Sequence, residues 1–458
     1  MTHFVRLSIS KALAERNPKK EVIYFFFQGF SFHKKKLKES FGRRFESVRG
    51  YTSTKIGLKF VSIQFIIMQP ADRTKNVKYS IRDIAVLAKQ VAKKRDMIYL
   101  NIGDPNRFDF RTPPHLIAAV IKAMKQNKNF YADSAGEEEA VDAIADHYRS
   151  IGVNVLNGDV LITSGVSEGI GMCFAALFNP GDNVLIPKPS YPIYSAYLNL
   201  YDIGINFYTL NEEANWNLDI NEIEKKINNK TKAIVIINPN NPTGAVYDKQ
   251  TLKDLVNLAG QHNLLIFSDE IYDELILEGK MYHTAALSKE VPVITFNGLA
   301  KNFLAPGWRT GWLAIKDVTG ELKEAKNALF QLARARLCSV TPQQYAVKPA
   351  LEGNRKHVKD AVKKLRSRRD IIYKRINEIE GLSVKKPQAA FYAFPKINFK
   401  MDDKLFVTKL IEEEGVATVH GSGFDMPEHF RIVYLPQEPL LNEALNRIER
   451  LVKRNRAV

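Results

Sequence analysis

The chain has 458 residues, 45% hydrophobic and 26% charged, an ordinary globular composition in a chain long enough for two domains with a sizeable core. Two cysteines exclude a disulfide framework or a cysteine-based zinc site and fit a reducing compartment. The net charge of +17 is concentrated at one end: residues 1–67 carry fourteen Lys and Arg against four Glu, an excess of ten.

That N-terminal stretch mixes basic runs (Lys34-Lys-Lys36, Arg43-Arg44) with aromatic clusters such as Phe25-Phe-Phe27 and shows no sustained period. A nucleic-acid-binding arm or an organelle-targeting peptide is one reading, although Glu15, Glu21, Glu39 and Glu46 spoil the acid-poor amphipathic helix that targeting needs. The other is a poorly structured or non-native extension ahead of a natural start at Met68. No stretch approaches the roughly 20 apolar residues of a membrane span, and the sequence contains no HExxH, CxxC or Walker pattern, so no metal is expected.

From Met68 the pattern becomes regular. Ser80–Lys94 has helical spacing with a cap at Ser80, and Met97–Ile102 reads as a strand closed by Gly103-Asp-Pro105. A glycine there lets backbone approach a ligand closely. Pro113-Pro114 starts a helix to about Lys125, since proline is tolerated in the first turn. The loop Asn129–Gly136 precedes an acidic helix start at Glu137, with the helix running to Ser150. Val160–Thr163 is a strand, and Ser164-Gly-Val-Ser-Glu-Gly169 turns into an apolar helix through Phe178. Such a small-residue turn points amides outward and suits an anion.

Strands and helices then alternate. Asn183–Ile186 leads to Pro189-Ser-Tyr-Pro-Ile-Tyr194, and Ile205–Tyr208 follows a helical interval. Ala233–Ile237 is a continuous apolar run of the kind buried on both faces, and it ends in Asn238-Pro-Asn-Asn-Pro-Thr-Gly244. After helix Gln250–Gln261, Leu264–Phe267 ends in Ser268-Asp-Glu-Ile-Tyr272. Val293–Phe296 ends in a turn carrying Lys301, with Arg309 eight residues on. This order predicts an α/β protein with a mostly parallel sheet flanked by helices, whose ligand lies outside the carboxyl ends of the strands. Asn241, Asp269, Tyr272 and Lys301 all follow predicted strands, so one crevice can hold them. Further on, His357–Ile379 is a long basic helix, Leu382–Val384 and Ala390–Phe394 read as strands, and Lys404–Glu414 as a helix.

A lysine at the end of a core strand is partly desolvated, which depresses its pKa and frees a nucleophilic amine. An arginine nearby offers a planar fork for phosphate. Amine plus anion clamp is what pyridoxal phosphate requires. Beside it an aspartate can keep the pyridine nitrogen protonated, Asn241 and Tyr272 can donate to the phenolic oxygen, and Tyr191 can stack on the ring. Each residue also has an ordinary reading: Asp269 as a helix cap, Asn241-Pro242 as a turn, Tyr191 as core, Lys301 and Arg309 as surface charges.

Taken jointly, Asn238–Gly244, Ser268–Tyr272, and Lys301 with Gly307-Trp-Arg-Thr-Gly311 resemble the class I/II aminotransferases, fold-type I pyridoxal-phosphate enzymes, and the resemblance covers nearly all but the first 67 residues. It implies Lys301 as the Schiff-base lysine and proton carrier, Asp269 on the pyridinium nitrogen, and Asn241 with Tyr272 on the phenolate. Arg309 and the Val166 and Ser167 amides would hold the phosphate. Tyr131 would reach the phosphate of a partner subunit, implying a homodimer. Arg431 in Phe430-Arg-Ile-Val-Tyr434 would bind the substrate α-carboxylate, with Gly103 and Asn241 close to it. Gly298 and Ala300 stand where many relatives carry hydroxyls, so phosphate binding is expected to be weaker or differently arranged. The implied layout is a large cofactor domain at 113–356 and a smaller α+β domain built from 68–112 and 357–458.

Ser164–Ile170, Leu332–Ser339 and Thr341–Gln344 look most like microbial alanine aminotransferases, implying L-alanine and 2-oxoglutarate exchanging to pyruvate and L-glutamate. Arg334 or Arg336 would then meet the distal carboxylate of glutamate, against the plainer reading of surface charges. The expected setting is cytoplasmic, with no membrane or nucleic-acid partner. A lyase on the same fold shares the cofactor residues. A transcription regulator with an aminotransferase-like sensor would need a helix-turn-helix that residues 1–67 do not show.

Overall fold

The computed structural model describes residues 69–77 and 80–456, without the side chains of Ser80, Arg82 and Asp83. The readings of residues 1–67, of the start at Met68 and of the Ser80 cap therefore lie outside the described residues. Contacts divide the chain into Met1–Met68 and Gln69–Val458; the second unit is described here.

A short strand, β1 (Ile98–Tyr99), precedes the seven that build the main sheet: β2 (Val160–Thr163), β3 (Asn183–Lys188), β4 (Gly204–Thr209), β5 (Thr231–Ile237), β6 (Leu265–Asp269), β7 (Val293–Gly298) and β8 (Gly311–Lys316). Their order is β2-β8-β7-β6-β5-β3-β4. Every pair is parallel except those of β8, which runs antiparallel to both β2 and β7. β7 and β8 are buried along their whole length, whereas the edge strand β4 is partly exposed. Helices on both faces explain the unbroken apolar runs, because each Val or Ile side chain withdrawn from water contributes about 1.5–3 kcal/mol. One apolar cluster packs Leu185, Ile234 and Ile266 with the helices Glu138–Ser150 and Lys249–Gln261; another packs Val184, Val235 and Ile294 with Val166–Leu177.

The helix starts follow local chemistry. Asp248 accepts from the Thr251 amide at 2.9 Å and caps Lys249–Gln261. Pro114 occupies the first turn of Pro114–Lys125.

The remaining strands are short: β9 (Leu382–Ser383), β10 (Tyr392–Ala393), β11 (Lys396–Ile397), β12 (Val416–Ala417), β13 (Val419–His420) and β14 (Phe430–Val433). β1 pairs in parallel with β12, so residues near 98 join the C-terminal region. A third apolar cluster draws Ile84, Leu100 and Phe110 together with Leu365, Phe406, Ile432 and Leu445.

Several predicted elements are shorter than expected, among them the following. The helix from Ser80 ends at Val91, because Lys93, Lys94 and Arg95 offer nothing apolar to bury. Of Met97–Ile102 only Ile98–Tyr99 is regular strand, although Leu100 still donates to the Ala417 carbonyl at 2.8 Å, and of Ala390–Phe394 only Tyr392–Ala393, with Ala390 in the left-handed conformation at φ +59°. No helix of the described residues is long and apolar enough to cross a membrane.

Candidate active site

The sheet register brings the predicted residues to one edge. Ile237 pairs with Asp269, Asp269 with Phe296, and Gly298 with Gly311, which also pairs with Thr163. Because β8 is reversed, its start lies level with the ends of β2 and β7. The turns carrying Asn241, Lys301, Ser164 and Arg309 therefore share a rim. A cleft of about 510 Å³ opens there, within the range that holds a cofactor-sized ligand. Gly103, Val166, Ser167, Tyr191, Asn241, Asp269, Tyr272, Lys301, Arg309 and Arg431 all line it.

Lys301 Nζ donates to the Gly103 carbonyl at 2.8 Å and lies 5.9 Å from the Tyr272 ring centroid and 5.5 Å from that of Phe391. Burial pushes this amine down to about 8, against the pull of the Asp104 carboxylate; Arg431 and Arg309 add to the depression. Gly103 must be glycine here, because a Cβ would overlap the Tyr392 hydroxyl.

Asp269 closes β6 and accepts from Tyr194 Oη at 2.8 Å and from the Ile271 amide at 3.3 Å. Burial pushes its carboxyl up to about 6, with both hydrogen bonds opposing. Tyr272 and Tyr392 share a hydrogen bond between hydroxyls at 2.8 Å.

Arg431, on β14, is 2% exposed and lies between the rings of Tyr392 and Phe424, at 4.7 and 4.8 Å. Its two terminal nitrogens donate to Asn241 Oδ1 at 3.0 Å and to the Asn101 carbonyl at 2.7 Å, while Nε has no partner. Among the described residues no carboxylate pairs with this guanidinium. A buried, unneutralised fork beside a cleft is what a carboxylate ligand requires.

Arg309 sits in the left-handed conformation at φ +55° and donates to the Pro306 carbonyl at 3.0 Å and the Ser164 carbonyl at 3.4 Å. Its guanidinium occupies the space where Gly165 would carry a Cβ, at the start of the helix Val166–Leu177. Here a permanent cation and a helix N-terminus converge, as binding a phosphate dianion demands. Gly298 has a steric cause: a Cβ there would lie 2.7 Å from the Thr310 carbonyl oxygen. The position admits no hydroxyl side chain.

Three predicted residues lie elsewhere. Tyr131 is 79% exposed and does not line the cleft of its own chain. Arg334 is exposed, and Arg336 donates to the Ser134 and Ile162 carbonyls; neither lines the cleft of its own chain. Conversely, Tyr194 and Tyr392 escaped prediction. Tyr392 sits within what reads as a core strand, and Tyr194 in an apolar helix start, so no local pattern marks either. Arg107, ion-paired with Asp104 at 3.2 Å, also lines the cleft unpredicted.

The sequence profile of the family described as "Aminotransferase class I and II" matches residues 95–448. The glutamate-pyruvate aminotransferase AlaA of Haemophilus influenzae is 38% identical over 397 residues, spanning 83% of this chain and 97% of that one. The alanine aminotransferase of Mycobacterium tuberculosis is 37% identical over 373 residues, 79% of this chain and 86% of its own. Among solved structures, an alanine aminotransferase from Pyrococcus furiosus superposes with a TM-score of 0.83 at 44% identity, covering 84% of this chain and all of the other.

Proposed function

The chain belongs to the class I and II aminotransferases, and we propose that it uses pyridoxal 5'-phosphate to move the amino group of L-alanine to 2-oxoglutarate, giving pyruvate and L-glutamate. The observation that carries this reading is Arg431: a buried guanidinium with no carboxylate partner among the described residues, lining the same cleft as a lysine whose amine is depressed to about 8. The names of the relatives supply the substrates.

The donor set fits the cofactor. Arg309 and the amides of Val166 and Ser167 offer a site for its phosphate, Asp269 a buried carboxylate for the ring nitrogen, and Lys301 an amine for its carbonyl. Asn241 and Tyr272 would bind its phenolic oxygen, and Tyr191 would pack its ring face. When bound, pyridoxal phosphate supplies an electron sink for the pair left on the substrate α-carbon.

Every other task falls to side chains. Arg431 orients the substrate by its carboxylate, with Asn241 holding one side of the fork and Gly103 leaving room beside it. Lys301 Nζ takes the α-proton and returns it, a role suited to an amine poised near neutral pH. The ring pocket keeps Asp269 fixed through the Tyr194 hydroxyl. We assign Tyr131 to the site of a second copy, making the enzyme a homodimer; its 79% exposure on the isolated chain supports this. We also retain the division into a large domain at 113–356 and a small one from 68–112 and 357–458, which the pairing of β1 with β12 supports. Both cysteines are free, which supports a reducing compartment, read as the cytoplasm.

The test incubates the full chain with pyridoxal phosphate and 2-oxoglutarate and screens amino donors by glutamate formation. Glutamate appearing chiefly with alanine is the expected result. Pyruvate or ammonia formed without an oxo-acid acceptor would replace the aminotransferase by a lyase.

A further inference from the structure

Two asparagines flank the lysine turn: Asn297, near the end of β7, and Asn302, directly after Lys301. Both are buried, at 4% and 1% exposure. Their amide groups converge on one carboxylate. Asn297 Nδ2 donates to Asp273 Oδ2 at 3.0 Å, and Asn302 Nδ2 donates to Asp273 Oδ1 at 2.5 Å.

The same asparagines use their oxygens on the backbone. Asn297 Oδ1 accepts from the Gly298 amide at 2.7 Å, and Asn302 Oδ1 from the Glu274 amide at 3.3 Å. Asp273 directly follows Tyr272 and belongs to the stretch that begins at Asp269; its own amide donates to the Glu270 carbonyl at 3.0 Å. One carboxylate thus ties the segment bearing Asp269 and Tyr272 to the segment bearing Lys301.

We propose that Asp273 is a positioning residue for the transamination: through Asn297 and Asn302 it fixes the turn that presents Lys301 Nζ to the cofactor and the substrate α-carbon. The inference rests on the reading of Lys301 given above and assigns it a support that the mechanism has not used. The arrangement carries a cost, because burial pushes the Asp273 carboxyl up to about 7 even with His283 nearby and the Asn297 amide opposing. A carboxylate held in so unfavourable a place, with both oxygens engaged, is the pattern of a site that gives up stability for geometry. Glu270 and His283 lie close enough to form a metal-type cluster with Asp273. Glu270, however, already bonds to His283 Nδ1 at 2.6 Å and to Ser268 Oγ at 2.8 Å, so the cluster satisfies itself.

The chemistry of the staple dictates the test. A carboxylate can accept from two amides, whereas an amide at 273 must turn one NH2 against another NH2. Asp273→Asn therefore loses one of the bonds, and Asn302→Asp sets two carboxylates face to face. Combining the two substitutions places a donor at 273 and an acceptor at 302, which reverses the direction of that one bond and recovers all four.

The four proteins, as full-length holoenzymes, are compared for kcat, for KM toward alanine, for the pH at which the bound-cofactor absorbance changes, and for melting temperature. Each single variant is expected to lower kcat about 10- to 100-fold, the scale on which misplacing a reacting group by about 1 Å acts. KM is expected to stay near the wild-type value, while the absorbance midpoint shifts. The double variant is expected to regain most of the lost kcat and the wild-type midpoint, even if the single variants also melt lower. A single variant with wild-type kcat and midpoint overturns the proposal. So does a double variant that melts like wild type yet remains as slow as the slower single. If Lys301→Ala keeps the cofactor absorbance and the activity, the reading of Lys301 itself fails; that outcome is separate from a failure of the staple alone.

Discussion

Replacing Arg431 by lysine keeps the charge and removes the fork. In the structure one guanidinium spans Asn241 Oδ1 at 3.0 Å and the Asn101 carbonyl at 2.7 Å and fills the gap between the Tyr392 and Phe424 rings. A lysine ammonium cannot hold both fixed acceptors and still pair with a carboxylate through two parallel bonds. The loss is about one charge-assisted hydrogen bond, roughly 1.5–3 kcal/mol. Because the α-carboxylate is bound in ground and transition states alike, most of this enters KM, a rise of roughly 10- to 150-fold with kcat changed little. Steady-state rates of pyruvate formation from alanine, and of the reverse reaction from glutamate, measure it. Both amino acids present the same α-carboxylate, so both KM values should rise by a similar factor. An unchanged KM for alanine, or a rise confined to glutamate, would remove Arg431 from the α-carboxylate site.

Three further expectations follow from the buried groups. The apoenzyme should capture pyridoxal phosphate faster as pH rises, with a midpoint near the depressed value of about 8 for Lys301, since only the neutral amine attacks; stopped-flow absorbance giving a midpoint near 10 would contradict this. The Asp269 carboxyl is raised from 3.8 to about 6, so the folded apoprotein binds this proton more tightly than the unfolded chain. Its contribution to stability is complete below pH 4 and is lost as pH rises through 6, a change of up to about 3 kcal/mol. Asp269→Asn should therefore raise the melting temperature of the apoprotein at pH 7.5 and leave it nearly unchanged at pH 4, while weakening cofactor binding; equal effects at both pH values would refute the linkage. Gly298→Ser should destabilise by about 1–3 kcal/mol through the close Thr310 carbonyl and bring no gain in cofactor affinity, read by thermal melting and cofactor titration. A tighter-binding, equally stable variant would show that the strand pair opens more readily than its geometry implies.

How far the site could be read in advance depended on how each residue is placed. Asn241, Asp269 and Lys301 follow short apolar runs of the kind that form buried strands, and the carboxyl edge of a mostly parallel sheet is where ligands gather. Arg309 was legible from its place eight residues after Lys301 within Gly307-Trp-Arg-Thr-Gly311, and it stands two residues ahead of β8. Tyr194 acts on Asp269 from 75 positions away and Tyr392 meets Tyr272 across 120, through contacts that no spacing rule encodes. Both tyrosines look like core residues because they are core residues, with one polar tip each. The Asp273 staple was hidden differently: all three members lie close to recognised motifs, but an asparagine near a turn is ordinarily read as the turn itself. Gly298 read as a missing hydroxyl until the β7–β8 pairing showed that no side chain fits there.

The bond from Arg431 to the Asn101 carbonyl joins residues 330 positions apart. During synthesis this has a timing consequence. A growing chain carries Lys301, Asp269 and Arg309 long before β14 leaves the ribosome, so a fragment that ends short of Phe430 lacks the fork that recognises an amino acid. Prematurely terminated chains should therefore be silent toward substrate, and transaminase activity during cell-free translation should appear only with the last strand, a clock for completion rather than for initiation.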